Sequence, residues 1–140
     1  MTTYTNKPSQ QASFTSGVSA ATIATGSNST VSNTLDNTGA TRYGYLCGEL
    51  VYSYSVAPTA SKSIRIYYER AKDGTNFEDA SPAHGWNATI QPTADTNSHR
   101  FALPPIPLLP EAYRIRVVNV DTGQTVTVTL NLYTYSDTSE

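Results

Sequence analysis

Ser63-Ile64-Arg65-Ile66-Tyr67-Tyr68-Glu69-Arg70-Ala71 runs directly into Lys72-Asp73-Gly74-Thr75-Asn76-Phe77-Glu78-Asp79, and the fold class is decided in this stretch. Its first half alternates. Ile64, Ile66 and Tyr68 share one side, while Arg65, Tyr67 and Glu69 share the other. A period of two specifies a strand with one buried face and one wet face. Asp73-Gly74 is a turn signal, because glycine takes positive φ without steric cost. Phe77 is expected to return to the core as an apolar anchor. Arg65, Tyr67 and Glu69 are expected to form a solvated outer face.

The same period extends in both directions. Tyr43 to Val56 reads as a long strand with Leu46, Gly48, Leu50, Tyr52, Tyr54 and Val56 in phase. Ala57-Pro58-Thr59-Ala60-Ser61 breaks it, and Lys62 to Ala71 follows as its expected antiparallel neighbour. Downstream, short strands are expected over Trp86 to Gln91 and Ser98 to Leu103. Ala112 to Val120 alternates Tyr113, Ile115 and Val117 with Arg114 and Arg116. Thr125 to Tyr135 alternates most regularly. Pro104, Pro105, Pro107 and Pro110 exclude a helix or a central strand, so that segment is expected to cross one end of the module as a polyproline-like connection. Upstream, Val18 with Ile23 and Val31 with Leu35 mark weaker strands.

About eight strands at spacings near 8–12 residues are the mark of a sandwich. No helical period is sustained. The expected fold is all-β: a two-sheet antiparallel β-sandwich. The long connections around 80–97 and 104–111 fit Greek-key crossings and hence a jelly roll. An immunoglobulin-like sandwich is the competitor, weakened by the absence of a cysteine pair. Residues 1–20 read as an extended N-terminal arm and residues 21–140 as a single sandwich domain.

Composition narrows the function classes. The 140 residues suit one domain. Charged residues are 14% and the net charge is −2, with Lys and Arg scattered. That argues against a nucleic-acid partner, which selects a basic patch. No apolar run approaches a membrane span, so no membrane partner is expected. Cys47 is the lone cysteine, and the first residues lack an apolar leader. Synthesis and folding in a reducing cytoplasm are expected.

No constellation points to catalysis, and the chain is read as a non-enzyme without cofactor. His84 and His99 lack partners at zinc spacing. His99, in phase with Phe101 and Leu103, reads as a hydrogen-bonded structural residue. The acids of Asp73 to Asp79 lack the ligand spacing of a calcium loop, so no metal is assigned. Ser19 lacks a nucleophile elbow, and Cys47 lies mid-strand without an activating charge. Glu49, Glu69, Glu78 and Asp79 are carboxylates with no fixed separation. The ten tyrosines cover sheet faces while keeping their hydroxyls wet, or stack on sugars.

Three segments carry a resemblance. They are Tyr67 to Asp79 with its Asp-Gly-Thr-Asn-aromatic-Glu-Asp turn, Leu103-Pro104-Pro105-Ile106, and Tyr113-Arg114-Ile115-Arg116-Val117-Val118-Asn119 followed by Thr122-Gly123. In this order they resemble jelly-roll cement or decoration proteins of tailed bacteriophages. The likeness spans about residues 43–135 by strand order. It implies a structural virion protein on the outer surface of the capsid that stabilises contacts between major capsid protein subunits. The partners implied are the major capsid protein and further copies of the chain, as a homodimer or, alternatively, a trimer. Contacts are expected at Tyr4 and Phe14 in the arm and at Arg65, Tyr67, Glu69, Arg114 and Arg116. The alternative is a carbohydrate- or receptor-binding β-sandwich of a tail or fibre.

Overall fold

The period-two stripes become strands in a computed structural model. It describes residues 9–39, 42–58, 63–79, 87–120 and 123–136, with the backbone alone for residues 9–19 and 136. The elements are β1 (Ser9–Ile23), β2 (Asn28–Val31), β3 (Leu35–Asp36), β4 (Tyr45–Tyr54), β5 (Ser63–Ala71), β6 (Asn87–Ile90), β7 (His99–Pro107), β8 (Ala112–Val120) and β9 (Val126–Ser136). One sheet has the order β1-β9-β4-β7. The other has β2-β8-β5-β6, with β3 also pairing β8. Every ladder is antiparallel. The chain is thus an all-β sandwich of two packed sheets. With the two-residue β3 set aside, the other strands, numbered along the chain, pair 1-8-3-6 in the first sheet and 2-7-4-5 in the second.

The two inner faces meet in one core. Leu46, Leu50, Val126, Val128, Leu130 and Leu132 come from the first sheet, and Ile64, Ile66, Tyr68, Tyr113, Ile115 and Val117 from the second. Burying each such aliphatic side chain contributes about 1.5–3 kcal/mol. β4 and β5, expected to pair as neighbours, lie in different sheets. Their apolar stripes face each other across the sandwich instead of lying side by side. Tyr68 ties the layers further: its buried hydroxyl donates to the Pro104 carbonyl on β7 at 3.3 Å, and burial pushes its pKa up.

The proline segment also differs from its expected role. Pro104, Pro105 and Pro107 belong to β7, which among the described residues pairs only with β4, at the edge of the first sheet. An edge strand tolerates proline because its outward N–H has no ladder partner. Prolines there also discourage pairing with another chain. The opposite edge is β1, whose ladder to β9 carries three register shifts. From Ser9 onward, the stretch read as an arm is therefore a strand paired to its own chain. Residues 1–8, including Tyr4, lie outside the described residues.

Gly48 marks a close backbone approach. A Cβ at this position would lie 2.0 Å from the Asn131 carbonyl oxygen. The adjoining β4–β7 register shifts between Leu46 and Gly48. The obstacle is backbone on a central strand, so it cannot rotate aside. Gly48→Ala is expected to cost at least ~1–3 kcal/mol, the usual range for overpacking, as a lowered urea midpoint. An unchanged midpoint would contradict this close approach.

Aspartates close three turns by accepting N–H groups two residues on. These are Asp36 from Thr38, Asp73 from Thr75, and Asp95 from Asn97. Asp73 also accepts the backbone N–H and the side-chain amide of Asn76. Gly74 sits beside it at φ 79° and donates to Ala71 O. The hydrogen bonds from Asn76 and then Thr75 hold the Asp73 carboxyl at about 2, below its ordinary 3.8. A depressed carboxylate contributes stability that is complete above its unfolded value and is lost as pH falls through its folded value. The melting-temperature advantage of wild type over Asp73→Ala is therefore expected at neutral pH and should shrink between pH 3.8 and about 2. A difference that stays constant through this window contradicts the assignment.

Candidate functional site

The site grows from the outward positions of two paired strands. On β5 these are Arg65, Tyr67 and Glu69. On β8 they are Arg114, Arg116, Val118 and Val120. The register sets Arg65 opposite Val118, Tyr67 opposite Arg116, and Glu69 opposite Arg114. β2 flanks β8 and brings Ser29 opposite Val118. Beyond β5, the Asp73 turn reverses the chain, and the Glu78 N–H bonds to Arg70 O at 2.9 Å. This return lays Phe77 over the outer face. Ser27, Ser29, Arg65, Tyr67, Glu69, Phe77, Glu78, Asp79, Arg114, Arg116, Val118 and Val120 line a groove of about 430 Å³.

One carboxylate organises the floor. Glu69 Oε2 accepts from Arg114 Nε, and Oε1 accepts from Arg116 Nε. Arg116 also donates from Nη1 to Ser29 Oγ at 3.0 Å. The Arg114 guanidinium lies 4.1 Å from the centre of the Phe77 ring, a cation–π contact. Glu69 is only 1% exposed and Tyr67 6%. Both were expected on a solvated face. Two guanidiniums and an aromatic cap take Glu69 out of water, and their N–H groups replace the water it loses. Phe77, expected in the core, is half-buried outside it as part of this cap.

Five of the seven expected contact residues therefore converge: Arg65, Tyr67, Glu69, Arg114 and Arg116 line one groove. Phe14 lies on β1 of the first sheet, where its backbone pairs Leu132. Tyr4 is outside the described residues. Ser29 and the Val118–Val120 floor were missed. The β8 alternation carried the valines, whereas the four-residue β2 gave Ser29 no signal.

Of the remaining candidates, Glu78 and Asp79 line the same groove, and the others are dispersed. Glu49 lies on the outer face of the first sheet, where its Oε1 accepts from Arg100 at 2.7 Å and from Asn131 at 3.2 Å. Glu78 is held by Arg70 at 3.0 Å. His99 Nε2 lies 2.7 Å from Asp95 Oδ1, and its ring stacks on Tyr52 with centroids 5.5 Å apart. That is the hydrogen-bonded structural environment read from its spacing. Hydrogen bonds from His99 and Asn97 hold the Asp95 carboxyl below its ordinary value. His84 lies outside the described residues. Among the described residues no cluster of three or more His, Cys, Asp or Glu side chains could hold a metal.

The fold and groove thus define a β-sandwich that presents a charged recess on one sheet face. No protein-family model matches the chain, and no curated protein matches it in sequence. The arrangement offers guanidinium N–H donors, an aromatic cap and a short apolar floor.

Removing one partner from a buried ion cluster leaves the others uncompensated, at a typical cost of ~3–5 kcal/mol. Glu69→Ala is expected to destabilise by that order in urea unfolding. Arg65→Ala is expected to change stability by less than ~0.5 kcal/mol, as for a surface position. Equal effects from the two substitutions would contradict the central place given to Glu69.

Proposed function

We propose that the chain is a non-enzymatic capsid cement or decoration protein, bound to the outside of a tailed-phage head and stabilising contacts between major capsid protein subunits. The observation that carries this reading is where the resembling segments lie. Residues 67–79 supply β5 positions, the Asp73 turn and Phe77. Residues 113–119 supply β8. Together they form most of one face, including its buried Glu69–Arg114–Arg116 cluster. The strand order, 1-8-3-6 over 2-7-4-5 without β3, supports reading the sandwich as a jelly roll, the fold that the resemblance implies.

The mode of attachment follows from the surface. Prolines on β7, register shifts in β1 and the four-residue lengths of β2 and β6 make the sheet edges poor templates for another chain's strand. The outer face of the second sheet is then the docking face. Many copies on a lattice allow each contact to be modest while the assembly is held firmly. Self-association as a homodimer or a trimer belongs to the same proposal.

One feature favours the alternative of a carbohydrate- or receptor-binding module. Tyr45 pairs with Tyr135 across β4 and β9, and Tyr133 lies opposite Cys47 on the same outer face. Tyr45 is exposed. Such a row suits stacking on sugar rings.

Co-sedimentation of the purified protein with heads lacking it separates the two. Saturable binding that Arg116→Glu abolishes and Tyr45→Ala leaves intact is the expected result. Absence of head binding, together with a glycan interaction lost in Tyr45→Ala, would replace the cement reading with the alternative.

A further inference from the structure

Three arginines reach the groove, and one buried carboxylate answers two of them. A guanidinium has five N–H donors. Arg114 uses Nε on Glu69, and Arg116 uses Nε and Nη2 on Glu69 and Nη1 on Ser29. Donors remain on both, and about a quarter of each side chain is exposed (27% and 25%). Arg65 has no hydrogen-bond or ion-pair partner among the described residues. It lies diagonally across the ladder from Arg116, since Arg65 pairs Val118 and Tyr67 pairs Arg116. Diagonal positions lie about 7–8 Å apart, within reach of long side chains.

The charges on the floor do not cancel. Arg65, Arg114 and Arg116 face Glu69 alone there. At the rim, Glu78 is committed to Arg70 and Asp79 is exposed. With the rim included, the lining holds three arginines and three carboxylates, and Glu78 is engaged by Arg70 outside the lining. The cationic excess is therefore confined to the floor, where Arg65 is unpartnered among the described residues. Along β8 its floor changes character, from Arg114 and Arg116 to the half-buried Val118 and Val120.

We propose that this groove, taken as the docking face of the reading above, binds an extended acidic segment of the partner protein. An aspartate or glutamate of that segment pairs with Arg65 and Arg116, and an aliphatic neighbour two residues away rests on Val118 and Val120. A carboxylate and a planar guanidinium match in a two-point, charge-assisted geometry. An extended segment also presents alternate side chains to one surface, which suits a floor that is cationic at one end and apolar at the other. The mixed floor fits a polyanion poorly. A nucleic-acid backbone would bring successive phosphates against Glu78 and Asp79 and gain nothing from the valines.

The test uses the full chain and three probes followed by NMR. These are a blocked serine-rich peptide carrying a valine two residues after its glutamate, so that both side chains fall on one face, its glutamine counterpart, and a short oligothymidylate. The glutamate peptide is expected to shift the Arg65 and Arg116 Nε–H signals and the Val118 methyl groups. Arg65→Ala is expected to weaken that binding about tenfold, the size of one charge-assisted hydrogen bond, with an unchanged melting curve. High salt should weaken it as well. Equal shifts from the glutamine peptide, tighter binding of the oligothymidylate, or no shifts from the glutamate peptide would each overturn the proposal. Head co-sedimentation distinguishes this failure from failure of the cement reading. Heads that bind wild type and Arg65→Glu equally well overturn the groove assignment and leave the cement reading standing. A groove that takes the glutamate peptide on a chain that ignores heads does the reverse.

Discussion

Everything in this structure depends on the closure of two apolar stripes against each other. Each long strand buries alternate residues, and no strand can hide that stripe within its own sheet. The β4–β9 ladder offers Leu46, Leu50, Val128 and Leu130; the β5–β8 ladder answers with Ile64, Ile66, Ile115 and Val117. Closure leaves two outer faces, and these have different chemistry. The first sheet turns out tyrosines and a Glu49–Arg100 pair. The second turns out a buried carboxylate shared by two arginines.

The shared carboxylate is the costlier feature. An ion taken out of water loses several kcal/mol unless its partners replace the water. A hydrophobic residue in place of Glu69 would leave Arg114 and Arg116 without their common acceptor. The retained polar cluster fixes the directions of both guanidiniums and so shapes the groove. Rigidity of this kind favours recognition, since a side chain already held in place loses less freedom on binding.

Much of the sandwich was legible in the sequence because its signal is local. Alternation in 64–68, 113–117 and 126–132 places the core stripes directly. What stayed hidden is non-local. Whether β4 pairs with β5 or faces it depends on the whole set of strands, and Pro58 marks a break without saying which way the chain goes. The edge position of β7 was foreshadowed by its prolines, yet the segment read as a crossing, because proline excludes a central strand without requiring an edge strand. Glu69 looked solvated because alternation gives the face and not what covers it. The cover comes from Phe77, placed by a turn of Asp73 hydrogen bonds, and from two arginines on a strand that lies 45 and 47 residues further along. Parity alone placed Arg65, Tyr67, Glu69, Arg114 and Arg116 at outward positions. Their convergence is a matter of register.

The docking face proposed for this protein is the outer face of the β2-β8-β5-β6 sheet. The most direct measurement is an electron-microscopy reconstruction of heads carrying the protein. Docking through this face gives density in which Arg65, Arg116 and Phe77 face the shell, with β7 and the Tyr45–Tyr135 row turned away. A reconstruction in which the first sheet or the β7 edge meets the shell, and the Glu69 groove opens to solvent, would contradict it.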